Sequence, residues 1–153
     1  MALFNRNSET YNTAVASPAA FTGGSANTRG DDGGTSDPLT LFTVTGIVAV
    51  KLIGYSTVLP VSAGSGTIAV GTAITPVGLL PATSASTMAV GELWHDGTVD
   101  AGVELSSVMA EKIVIGNIIE TVGTADITAG NVHYLCLWRP LTPNATLEPA
   151  NNA

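Results

Sequence analysis

From residue 39 onward, short runs of Val, Ile, Leu, Thr and aromatic residues are separated by clusters of Gly, Pro, Asn and Asp. Short apolar runs bounded by turn-forming residues are typical of β-strands. They predict about eight strands, at residues 39–45, 47–55, 67–73, 88–95, 103–109, 112–116, 118–122 and 132–139. This number and spacing of strands favours an all-β fold, a single antiparallel sandwich or barrel of jelly-roll-like form.

Alternation of side chains supports the strand predictions. In the first predicted strand, Phe42 points to one face while Thr43 and Thr45 point to the other, since successive side chains of a strand face opposite ways. In residues 132–139 both faces are largely apolar, which favours a strand inside a sheet over one at its edge. We expect Cys136 in this strand to be a buried, unreactive thiol.

The first 38 residues are rich in Asn, Ser, Thr, Ala and Gly and follow neither a strand nor a helix period. We therefore expect residues 1–38 to form a flexible or extended N-terminal arm, followed by a β-domain at residues 39–141 and an extended tail at 142–153. The larger side chains of the arm, Leu3, Phe4, Tyr11 and Phe21, are spaced like anchors that could bind a neighbouring subunit.

Charged residues make up 11% of the chain, and 5 basic against 12 acidic residues give a net charge of -7. The charged fraction is low for a soluble domain, so short uncharged side chains must cover the surface, which favours burial in an assembly. The negative charge and the scattered basic residues argue against nucleic-acid binding. No uninterrupted apolar stretch of membrane-spanning length and no secretory signal are found, so we expect synthesis in a cytoplasm without membrane association.

Few side chains in this sequence could take part in catalysis. The nearest to a catalytic or metal-binding set is Glu92, His95, Asp96 and Asp100, but Glu92 and His95 fall on opposite faces of an alternating strand. Asp96 and Gly97 are typical of a tight turn that ends the strand. We therefore expect no enzyme activity, no catalytic residues, no cofactor and no metal, and a small hydrolase using Glu92, His95 and Asp96 is the second alternative.

In its low charge and its short runs rich in Thr, Ala, Gly and Val, the chain resembles the small virion proteins of tailed bacteriophages, most closely their head decoration, or cement, proteins. The likeness covers residues 39–141 and is carried by three segments: LFTVTGIVAVKLIG at 41–54, TIAVGT at 67–72 and VHYLCLWRPL at 132–141. The resemblance implies a virion protein, commonly a homotrimer, that binds the outer capsid surface and stabilises it by bridging major capsid subunits. It supplies no motif from which a functional residue can be transferred.

A tail, neck or spike protein is the first alternative within the same class of virion proteins. In that function Trp94 would be a surface contact for host glycans, since tryptophan rings stack on sugars. Core or interface packing is the ordinary explanation for a tryptophan in a predicted strand.

Overall fold

The computed structural model describes residues 10–34, 37–100, 102–104 and 108–150. A short 3-10 helix lies at Ala85–Thr87. The strands follow the chain in this order: β1 (Asn12–Ala16), β2 (Leu39–Thr45), β3 (Ile47–Val61), β4 (Thr67–Gly71), β5 (Leu80–Ser84), β6 (Leu93–Trp94), β7 (Val99–Asp100), β8 (Lys112–Ile115), β9 (Ile118–Gly123), β10 (Ala129–Pro140) and β11 (Thr146–Pro149).

The strands form two antiparallel sheets. The first sheet has the order β1-β10-β3-β6-β7, with β8 also paired to β3, and the second has the order β11-β2-β9-β4-β5. The all-β class and the sandwich are therefore confirmed. The sheets do not close into a barrel, and the strands outnumber the eight that the sequence predicted.

The core lies between the sheets and is built on the two longest strands, β3 and β10. Val132, Tyr134 and Cys136 of β10 are fully buried, as their alternation predicted, and β10 is hydrogen-bonded on both sides. In β2 the same alternation leaves Thr43 and Thr45 exposed. Burial raises the pKa of the Cys136 thiol to about 12, so it stays protonated and unreactive, as expected.

The structure departs from the predicted strands at β1, β5, β7 and β11, which the sequence pattern did not indicate. The predicted strand at 103–109 is also corrected, since its described residues, 103, 104, 108 and 109, are not in a strand. The predicted tail at residues 142–153 is corrected by β11, which pairs with β2 and buries Leu147. The prolines of this region argue against strand pairing, because proline has no backbone N–H to donate. Pro149 is accommodated because β11 is an edge strand, where a residue without an N–H is tolerated.

The predicted N-terminal arm is corrected for residues 10–34, which pack on the body of their own chain. β1 pairs with β10 and buries Ala14 and Ala16. Beyond β1 the segment continues along the same side of β10, where Phe21 N donates to Gly130 O at 2.8 Å. The physical reason is that the outer edge of β10 offers backbone partners that the composition of residues 1–38 does not reveal.

Arg29 is the centre of a buried ionic cluster that joins this N-terminal segment to both sheets. Its Nε and Nη2 donate to the two carboxylate oxygens of Glu120, on β9, at 2.8 and 2.6 Å. Nη2 also donates to Val132 O at 3.0 Å, and the Tyr134 hydroxyl donates to Glu120. The guanidinium lies 3.9 Å from the centre of the Phe21 ring. Arg29 and Tyr134 thus satisfy both oxygens of a carboxylate that is buried between the sheets.

Burial alone would lower the pKa of Arg29, but the Glu120 carboxylate more than offsets this, so the net shift is upward. Burial, followed by the Glu120 charge, raises the pKa of Tyr134 well above its ordinary value. Arg29 therefore stays charged and Tyr134 stays a neutral donor. The adjacent Gly30 has a φ of 100°, and a Cβ there would lie 2.2 Å from Ile127 O, so glycine is required beside the arginine.

We predict that Arg29→Ala lowers the free energy of unfolding by about 3–5 kcal/mol, because it leaves the buried Glu120 carboxylate without its partner. The matched control is Arg139→Ala. Arg139 makes the same two-pronged contact with Glu111, at 2.9 and 2.6 Å, but both side chains are more than a quarter exposed. This control should cost about 0–1 kcal/mol. Urea denaturation measures both values, and equal losses would contradict the prediction.

Candidate functional site

Three strongly exposed isoleucines gather beside β8. Ile113 and Ile115 on β8 are 73% and 68% exposed, and Ile74, in the connection between β4 and β5, is 91% exposed. All three line one cleft. Among the described strands β8 pairs with β3 alone, so its other side is a sheet edge. Exposed isoleucines along a sheet edge are unusual for a monomer, which makes this edge a candidate interaction surface.

Three adjoining clefts form a continuous groove along this edge, which we call the β8 groove. The first cleft, of about 250 Å³, extends from β3 to the segment at residues 108–112. It shares Leu79 and Lys112 with the second, of about 280 Å³, which in turn shares Thr72, Ile74 and Ile115 with the third, of about 290 Å³. The β8 groove therefore separates an edge of the first sheet from a connection of the second.

Lys112 holds the two sides of the β8 groove together. Its Nζ donates to Gly78 O at 2.9 Å and to Leu79 O at 2.8 Å. The ammonium group is thus engaged by backbone carbonyls of the opposite wall, while its aliphatic stem contributes to the lining of the first two clefts. The groove is therefore bridged by Lys112 and has a mainly apolar lining.

The sequence did not single out Ile74, Ile113 or Ile115. Residues 112–116 were predicted as a strand, and the run Ile-Val-Ile within it is apolar on both faces. Such a run is compatible with an interior strand and with an edge strand that binds a partner. The pairing of the neighbouring strands decides between the two, and it is not visible in the local pattern.

Trp94 is not a surface contact. It is 1% exposed and lies in the core, where its ring packs 6.3 Å from that of Tyr134, centre to centre. The backbone of Gly54 on β3 leaves room for it, since a Cβ at that position would lie 2.7 Å from the ring. The prediction of a glycan contact at Trp94 is therefore wrong, and the reason is that β6 turns this side chain inward against β3.

Of the four predicted arm anchors, two contact their own chain and two lie outside the described residues. Phe21 is buried beneath Arg29 in its own chain, so it cannot anchor a neighbouring subunit. Tyr11 is partly buried, and its hydroxyl donates to Glu111 of the same chain. Leu3 and Phe4 lie outside the described residues, so their role as anchors stays a prediction.

Glu111 is the residue that precedes β8, and it contacts the start of the described chain. Its carboxylate accepts hydrogen bonds from Arg139 and from Tyr11. These contacts, with Arg139 first, lower the pKa of Glu111 from 4.5 to about 2. The ionised carboxylate is thereby favoured in the folded protein, and it fixes the position of the chain that leads into the β8 groove.

The hydrolase alternative needs Glu92, His95 and Asp96 to converge. Glu92 instead accepts a hydrogen bond from Ala89 N at 3.0 Å, and the nearest approach of Asp96 to the imidazole is 3.9 Å, at Nδ1. The structure brings a different set together. His95 Nε2 lies 3.1 Å from Asp100 Oδ2 and 3.8 Å from Glu104 Oε2, and these three groups could hold a metal ion.

Asp100 was among the residues considered with His95 from the sequence, and Glu104 was not. The Asp96-Gly97 turn was the available signal for Asp100, because a tight hairpin returns the chain beside itself. The turn is confirmed, since β6 and β7 pair across it and Thr98 N donates to Asp96 Oδ1 at 2.8 Å. The position of Glu104 depends on the irregular chain after β7, which carries no comparable pattern.

Comparisons with protein-family models, with curated proteins and with solved structures found no match. Within the described residues, no helix is long and apolar enough to cross a membrane.

We predict that Glu111→Gln lowers the free energy of unfolding by up to about 1 kcal/mol above pH 4.5, because the exposed contacts with Arg139 and Tyr11 are weakened. The folded-state pKa of Glu111 is depressed, so its contribution is fully present above 4.5 and is lost as the pH falls through about 2. The wild-type and variant stabilities should therefore converge between these values.

Chemical denaturation over this pH range measures the convergence. Glu148→Gln, on the exposed face of β11, is the control for loss of one negative charge. A difference between the wild type and Glu111→Gln that stays constant from pH 5 to pH 2 would contradict the prediction.

Proposed function

We propose that this protein is a structural assembly subunit, and that it acts as a small head decoration protein on a phage capsid. The observation that carries the proposal is the β8 groove, with Ile74, Ile113 and Ile115 exposed beside a sheet edge. Burying such residues against a partner stabilises a complex by about 1.5–3 kcal/mol for each side chain. A chain with 11% charged residues has few charges to desolvate when its surface is covered.

The partner that suits the β8 groove is an extended segment of a neighbouring capsid subunit. A strand laid along β8 would use the backbone groups of its outer edge, while alternate side chains would enter the clefts. Ile113 and Ile115 project to the same side of β8 and are exposed, whereas Val114 points into the core. Two exposed positions with a spacing of two residues match the spacing of side chains on one face of the added strand.

In this proposal the body of the sandwich binds the neighbouring subunit, a role that the sequence analysis assigned to the N-terminal arm. Residues 10–34 are engaged by their own chain, through β1 and Arg29, and so are unsuited to reach a neighbouring subunit. The proposed bridging of capsid subunits is mechanical, because many identical copies, each with a modest interface, together resist expansion. A homotrimer of the protein remains part of the proposal.

Neither alternative function is favoured by the geometry. The glycan-binding function depended on an exposed Trp94, which lies in the core. The hydrolase depended on Glu92 joining His95 and Asp96, and Glu92 is engaged by Ala89 N instead.

We predict that replacing Ile113 and Ile115 together with Asp weakens binding to expanded capsids by at least about 100-fold, since two apolar contacts are lost and two charges must be desolvated. The capsids are assembled from the major capsid protein encoded in the same genome, and co-sedimentation measures the bound fraction. The matched control replaces Leu59 and Val61 together with Asp, which places the same two charges at exposed apolar positions, two residues apart, near the other end of β3.

The possible outcomes distinguish an error in the docking surface from an error in the proposed capsid function. If the wild-type protein binds capsids and the double variant binds equally well, the β8 groove is not the docking surface. If the wild-type protein binds no capsid, the decoration function itself is wrong. Circular dichroism of each variant confirms that loss of binding does not reflect loss of the fold.

A further inference from the structure

The β6–β7 hairpin places one histidine and two carboxylates around a common point. His95 follows β6, Asp100 ends β7, and Glu104 lies four residues further along. One ligand atom from each, including His95 Nε2, lies within 4.8 Å of the other two. The cluster stands at the edge of the first sheet and borders the first cleft of the β8 groove through His95.

The His95 imidazole is buried and directed into this cluster. Its side chain is 5% exposed, whereas those of Asp100 and Glu104 are 33% and 24% exposed. Among the described residues Nε2 has no hydrogen-bond partner, although Asp100 Oδ2 lies 3.1 Å away. A buried ring nitrogen without a hydrogen bond is costly unless another ligand satisfies it.

The spacing of the three groups suits a metal ion. Bonds of about 2.1 Å at a tetrahedral angle would place two ligand atoms about 3.4 Å apart. The distances from His95 Nε2 to Asp100 Oδ2 and Glu104 Oε2, 3.1 and 3.8 Å, bracket this value. A cation at the common point would also offset the repulsion between the two carboxylates.

We propose that His95, Asp100 and Glu104 bind a divalent transition-metal ion, with Zn²⁺ the first candidate. An imidazole with two carboxylates is a ligand set of intermediate softness, which suits Zn²⁺ better than Mg²⁺ or Ca²⁺, since those ions favour oxygen alone. From the sequence we expected no metal, because Glu92 and His95 fall on opposite faces of an alternating strand, and Glu104 was not among the residues considered.

The bound ion would act as a cross-link. The chain from β7 to β8 is irregular in its described parts, and the ion would tie residue 104 to the hairpin and so to the wall of the first cleft. Three protein ligands leave a position for water, which can enter from that cleft. The role is structural and does not depend on the proposed capsid function.

The test is calorimetric titration of Zn²⁺ into EDTA-treated, dialysed protein without a histidine tag. We expect one site per chain, and a Tm raised by roughly 5–10 °C when free Zn²⁺ is about 100 times the Kd. Asp100→Asn and Glu104→Gln should each weaken binding at least 10-fold, because each removes one charged ligand. Glu92→Gln, which removes a carboxylate from the same region outside the cluster, should bind Zn²⁺ as the wild type does.

The proposal is overturned if the wild-type protein binds no Zn²⁺, or if Asp100→Asn and Glu104→Gln bind it as tightly as the wild type. Equal weakening by Glu92→Gln would also overturn it, because binding would then reflect the acidic surface in general. Both cluster variants keep side chains of nearly unchanged size at partly exposed positions, and the Tm measured in EDTA shows that each remains folded.

Discussion

The two sheets and the N-terminal segment meet at one buried charge, the carboxylate of Glu120. A lone carboxylate between apolar sheets would be strongly destabilising, so the fold depends on the groups that surround it. Arg29 supplies the opposite charge from the N-terminal segment, and Tyr134 supplies a hydroxyl from the other sheet. Burial of Glu120 therefore requires groups from the N-terminal segment and from the opposite sheet at once. This requirement accounts for the position of a glycine-rich segment whose composition alone suggests a free arm.

The fixed N-terminal segment changes how the molecule can interact with others. β1 covers one edge of the first sheet by pairing with β10, whereas Ile113 and Ile115 stay exposed on that sheet's short strand β8. Arg139 and Tyr11 both contact Glu111, one residue before β8, so the covered edge and the open edge are linked by a single carboxylate. In the proposed assembly the docking surface therefore lies on the body of the sandwich and not on an N-terminal arm.

The sandwich could be predicted from the sequence because its longer strands show alternation of side chains between two faces, as at Thr43 and Thr45 or at Val132 and Tyr134. Prediction from the sequence failed where the structure of a segment depends on a contact with a residue far away in the sequence. Arg29 and Glu120 are 91 positions apart, and nothing near Arg29 indicates a buried partner. β1 and β11 are short edge strands, formed because a longer strand offers an open side. Burial of Trp94 and exposure of Ile113 likewise depend on which strands become neighbours.

The proposed metal site and the β8 groove belong to one physical arrangement. His95 lines the first cleft, and that cleft shares Leu79 and Lys112 with the second, where Ile113 lies. A ligand ion that holds residues 95–104 in place would therefore fix one end of the groove, while Lys112 fixes its middle by bonding to Gly78 and Leu79. A rigid groove binds an extended segment with a smaller loss of conformational entropy than a mobile one. The same hairpin that brings His95 to Asp100 thus contributes to the shape of the surface proposed for assembly.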